Sequence, residues 1–88
     1  MKTTSMQIKS MWKHAMTLPC DGKVRVLPEV GLEAVHTPNC ARHIKQIVIR
    51  DGDVCHRRLF SHGRWSAPHT VSGGAWSMVT GYGRNELS

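Results

Sequence analysis

Residues 44–61 read IKQIVIRDGDVCHRRLFS, and this stretch decides the fold. Ile44, Ile47, Val48 and Ile49 lead into Asp51-Gly52; Val54, Cys55, Leu59 and Phe60 lead out of it. An Asp-Gly pair between two such runs is the strongest short-range sign of a two-residue hairpin. Two further pairs follow, His62-Gly63 and Gly73-Gly74, of which His-Gly is the weaker signal. Together they predict an antiparallel meander with strands over residues 43–50, 53–61, 64–71 and 75–80.

A two-residue loop also fixes register. Asp51-Gly52 sets Ile49 opposite Val54, Ile47 opposite His56 and Lys45 opposite Arg58. His62-Gly63 sets Phe60 opposite Trp65 and His56 opposite His69; Gly73-Gly74 sets Val71 opposite Trp76 and His69 opposite Met78. One face then gathers Ile47, Ile49, Val54, Phe60, Trp65, Val71, Trp76, Met78 and Tyr82. The other carries Gln46, Arg50, Asp53, Arg57, Ser66, Thr70, Ser72 and Ser77, with Ile44, Val48, Leu59 and Val79 among them. A half-buried antiparallel sheet splits this way. Pro68 is the weak point, because its missing N–H breaks a ladder bond inside a strand. A bulge or break is expected there, and a one-residue slip would turn His69, Val71, Trp76 and Met78 to the opposite face. It would also dissolve the His56–His69 pair. That pair is read as structural, with no carboxylate between Asp53 and Glu86 to orient either ring. Were both rings buried and neutral, acid would lower stability.

Upstream, Thr3-Thr4-Ser5 can cap a helix over residues 4–17. Its apolar positions Ile8, Met11, Trp12, Ala15 and Met16 form one stripe for packing on the sheet, and Pro19 and Gly22 end it. Alternation around Pro28 predicts two short strands over residues 23–27 and 30–36, with Thr37-Pro38-Asn39 as a turn. The tail, residues 81–88, is expected to fray. The fold expected is one small α+β domain spanning residues 1–88, with an N-terminal amphipathic helix on an antiparallel meander of five to six strands. A curled, partly closed barrel is its variant.

Eighty-eight residues suffice for a single core, and a chain 40% hydrophobic and 20% charged is neither a disordered tail nor a membrane protein. Its net charge of +6 is unevenly placed. Residues 1–20 hold Lys2, Lys9 and Lys13 and no acid; residues 21–53 balance; residues 54–85 hold Arg57, Arg58, Arg64 and Arg84 and no carboxylate. Such an excess favours phosphate backbones or an acidic protein surface as partner. Cys20, Cys40 and Cys55 are too few for a disulfide scaffold, and neither a secretory apolar run nor a stretch long enough to span a bilayer is present. Reduced thiols in the cytoplasm are expected.

Cys40 and His43 have ligand-like spacing, and Cys55-His56 could supply a second pair. The hairpin holds the two pairs roughly 17 Å apart at ~3.3 Å per residue, too far for one tetrahedral ion. His36, Cys40, His43 and His62 could gather at the open end of the hairpin, but scattered side chains without metal or other cofactor are the plainer reading. Enzyme motifs are missing. Ser72-Gly73-Gly74 lacks a nucleophile elbow, Gly81-Tyr82-Gly83 has no following helix, and Cys20 has no base beside it. The expected function is therefore non-catalytic: a small basic module engaging nucleic acid through a basic sheet surface. Its site residues are Lys45, Gln46, Arg50, Arg57, Arg58 and Arg64. The alternative is a small inhibitor or adaptor of the phage or mobile-element type, acting on an acidic or nucleic-acid-binding protein. Phe60, Trp65, Trp76 and Tyr82 share the arginine-rich stretch, yet the register assigns them to the core.

Overall fold

The computed structural model describes residues 5–39 and 43–80. The chain runs through α1 (Ser5–Ala15), β1 (Val24–Val26), β2 (Glu33–Asn39), β3 (Ile44–Asp51), β4 (Val54–Ser61), β5 (Arg64–Trp65), β6 (His69–Ser72) and α2 (Gly74–Thr80). The strands form one antiparallel sheet in the order β1-β2-β3-β4, with β5 and β6 both pairing to β4. It does not close into a barrel. Helix α1 lies on one face and α2 on the other, so the α+β architecture has three layers.

The stripe on α1 does what its spacing predicts. Met11, Trp12 and Ala15 are buried against Leu27, Ala34, Ile47 and Ile49, with Ile8 and Met16 at the margin. Each large apolar side chain enclosed this way contributes about 1.5–3 kcal/mol relative to exposure. The helix ends in a tighter turn, Thr17 and Leu18 donating their N–H groups to the carbonyls of His14 and Ala15. Pro19 then blocks continuation. Thr3 and Thr4, the other residues of the expected cap, and the tail with Tyr82 lie outside the described residues.

The β3–β4 hairpin forms, but one residue further along than the Asp-Gly pair suggests. Asp51 pairs with Val54, so the loop is Gly52-Asp53, with Gly52 at φ 65° in its first position. Glycine there suits a turn that opens with positive φ, and Asp51 is free to extend β3. The register consequently moves by two: Ile49 faces His56, Ile47 faces Arg58, and Lys45 faces Phe60. An even shift leaves every side chain on its own face, which is why the sorting of β3 and β4 survives.

The second hairpin matches its expected register. His62 and Gly63 both take positive φ, 54° and 80°, and Phe60 faces Trp65. Beyond it the Pro68 break is real. Phe60 pairs with Trp65 and Arg57 with His69, so Arg58 and Leu59 oppose three residues, Ser66, Ala67 and Pro68. That one-residue bulge brings Val71 opposite Cys55, on the face away from α1, and brings Thr70 rather than His69 opposite His56. The His56–His69 pair does not form.

Three further expectations are corrected. Residues 75–80 are helical rather than a strand. Neither Gly73 nor Gly74 takes the positive φ that a hairpin turn of this kind needs; instead the Gly73 carbonyl accepts from the N–H groups of Trp76 and Ser77, opening α2. The pairings of Val71 with Trp76 and His69 with Met78 are therefore absent. Pro38 is likewise no turn but part of β2, opposite Lys45. Strand β1 covers only Glu33–Val35, so at Pro38 that flank of β2 is an edge, where a missing N–H costs no ladder bond. The first hairpin has a wider loop than expected, β1 ending at Val26 and β2 starting at Glu33, with Gly31 at φ 67° and the Leu27 carbonyl accepting its N–H.

Candidate nucleic-acid interface

The six basic and polar residues singled out do not form one surface. On the α2 side, the face expected to be open is partly covered. Arg50 stands 5.5 Å from the centre of the Trp76 ring and pairs with Glu33 at 3.5 Å. Arg57 donates through Nε to Gln46 Oε1 at 3.1 Å, beside a cavity of about 130 Å³ lined also by Ala75, Met78 and Val79.

On the α1 side, Arg58 is held in place. Its Nε donates to the Ser66 carbonyl at 2.9 Å and its guanidinium lies 5.4 Å from the centre of the Trp12 ring. The bulge sets this arrangement, because it is the displaced Ser66 that offers its carbonyl to Arg58 and its hydroxyl to the Leu59 N–H. One row outward on the same face come Pro38, Lys45, Phe60 and Trp65 on four successive strands. Phe60 and Trp65 are half-buried, their ring centres 5.1 Å apart at a 55° tilt. Lys45 is exposed, and Arg64, exposed as well, stands at the same rim but on the opposite face, paired with Ser61.

Charge is sorted along the strands. Glu33 and Asp51 end their strands at the β3–β4 turn, Asp53 is in that turn, and Glu29 lies in the adjoining β1–β2 loop. Glu29 accepts from the Ser10 hydroxyl and pairs with His14 Nε2 at 2.8 Å, which tethers α1 to that loop. These contacts, the Ser10 hydrogen bond foremost, hold its carboxyl below the ordinary value. Asp21 is the one described carboxylate elsewhere, and Arg25 grips both its oxygens, at 2.8 and 2.6 Å. That grip, with the Lys23 N–H, keeps Asp21 well below the usual carboxylate range. The opposite rim, with Lys45, Arg58, Arg64, His43 and His62, therefore has no carboxylate among the described residues other than this neutralised pair.

The histidines take separate positions. His36 is buried; its Nδ1 donates to the Leu18 carbonyl at 3.0 Å and its ring packs 5.8 Å from that of Trp65. His43 and His62 are exposed turn residues, and Cys40 lies outside the described residues. Among the described residues no three His, Cys, Asp or Glu side chains come together as metal ligands would. His56 does have an acid nearby after all: Asp51 Oδ2 lies 3.5 Å from its Nε2, across the hairpin rather than along the chain. The corrected register puts Asp51 on the same face, diagonally adjacent, and only that register could have revealed it. No described helix is long and apolar enough to cross a membrane. Compared with known protein families, with curated proteins and with solved structures, the chain matches none.

Proposed function

We propose that this protein is a non-catalytic module that binds nucleic acid through the rim whose described residues hold no carboxylate but the Arg25-paired Asp21, with Lys45 and Arg64 as the principal phosphate contacts and Arg58 behind them. What carries the reading is the sorting of charge along the strands. Glu29, Glu33, Asp51 and Asp53 cluster at one end, while among the described residues the cations at the other end face no unpaired acid that would compete with phosphate. Arg50, Arg57 and Gln46 take a lesser part, since α2 and Glu33 occupy much of their surroundings.

Anisotropy of a labelled oligonucleotide, titrated across a salt series, tests this. Affinity should fall steeply with salt, and Lys45→Ala and Arg64→Ala should each reduce the logarithmic slope by about 1. Absence of binding at low salt, or binding indifferent to Lys45→Glu with Arg64→Glu, would overturn it. A second reading, an acidic protein partner, draws on the cavity beside Arg57. There a guanidinium with no ion pair among the described residues adjoins Met78, which is 77% exposed. A carboxylate-bearing side chain would satisfy both.

A further inference from the structure

We infer that the rim selects unpaired bases, with Phe60 as the platform on which a base stacks, so that the ligand class is single-stranded rather than duplex nucleic acid. This rests on the nucleic-acid reading above and narrows it. Phe60 is half-buried yet belongs to neither apolar cluster, unlike Trp65, which packs against the α1 core and on His36. The described ring beside it is Trp65, tilted and fixed by those contacts, so Phe60 is propped from one side. Directly across the ladder stands Lys45 on β3, and at the next position along β4 Ser61 faces Arg64 on β5.

Two strand spacings, about 10 Å, separate the backbones that carry these two cations, with the Phe60 strand between them. Lys45 shares the face of Phe60, whereas Arg64, one position out of phase, leaves the same rim on the opposite face, so a base stacked on the ring has one cation beside it and its strand meets the second where it passes over the rim. Neither cation makes an ion pair among the described residues, whereas Arg58 is already engaged by Ser66 and Trp12. A duplex keeps its base faces inside the stack and would gain only the phosphate contacts.

The test uses 5′-labelled single-stranded DNA and RNA of equal length and a hairpin duplex, each titrated by anisotropy at several salt concentrations. Phe60→Leu keeps an apolar side chain but removes the ring, and circular dichroism checks that the fold is retained. The variant should bind single strands roughly tenfold more weakly with an unchanged salt slope, and bind duplex as before. Phe60→Trp should restore single-strand binding. The DNA and RNA arms show which strand the rim prefers. Equal losses on single strand and duplex, or single-strand affinity untouched by Phe60→Leu, would overturn the stacking role while leaving the nucleic-acid reading standing. If the wild-type protein binds neither form, both fail.

Discussion

The two faces of this sheet are closed by helices of unequal strength. On one side α1 contributes Met11, Trp12 and Ala15 to a cluster that includes Leu27, Ala34, Ile47 and Ile49. On the other, α2 contributes Trp76 to a cluster of four with Val35, Val48 and Cys55. The same strands serve both: Ile47 and Ile49 point to α1, while Val48 between them points to α2. An alternating strand usually has one wet face. Here Ile47, Val48 and Ile49 are all buried, and that unbroken run is the mark of a strand covered twice. One face thus bears a full helix and the other a lid.

Trp12→Ala should cost most. It removes a ring 5% exposed at the centre of the larger cluster, together with its contact to Arg58. A loss of about 3–5 kcal/mol is expected, with unfolding remaining a single transition. Denaturant titration followed by circular dichroism measures it. A loss below ~1 kcal/mol would mean that the α1 face is not the stronger one.

Trp76→Ala should cost less, about 2–3 kcal/mol, because α2 can loosen while the α1 face stays packed. The sharper readout is Cys55, buried under Trp76 and with its thiol pushed up by burial. In a background where Cys20 and Cys40 are serine, Cys55 should react slowly with a thiol reagent. Trp76→Ala should speed it by roughly tenfold or more, through local opening. If Cys55 became reactive only at the rate of global unfolding, the two faces would be one cooperative unit and the contrast between them would fall.

This difference in strength is also a difference in legibility. The stripe on α1 repeats across eleven residues, enough to separate a helical period from alternation. Residues 74–80 offer seven, and Trp76 and Met78 alternate with Ala75, Ser77 and Val79 as a strand would. Two glycines in front are as compatible with a hairpin turn as with a helix start. What distinguishes the outcomes is the sign of φ at Gly73 and Gly74, which glycine leaves open. The bulge was announced by Pro68, and its one-residue shift decided that Val71 would join Trp76 rather than Ile47. The candidate site was readable in part. Lys45, Arg58 and Arg64 stand out from charge alone, whereas placing Phe60 between Lys45 and Trp65 needed the corrected hairpin register. Where α2 covers Arg50 could not be read without the helix itself.

The smallest effect concerns how α1 is tied down beyond its apolar stripe. Ser10 and His14 reach from the helix to Glu29, and their contacts hold its carboxyl below the ordinary glutamate value of 4.5. A carboxyl whose pKa is lower in the folded state adds stability above its unfolded value. That increment disappears as pH falls from there through the depressed value. Glu29→Gln removes the titrating group, so the difference in melting temperature between wild type and variant should be present at pH 7 and should close below the glutamate range. Asp21 loses its own contribution with acid in both proteins and cancels from the comparison. Because Glu29 is exposed, the difference should be modest and should shrink with salt. A gap between the two proteins that stayed constant from pH 7 to pH 3 would show that the tether is neutral hydrogen bonding alone. The greater strength of the α1 face would then come from its apolar stripe, with no electrostatic share.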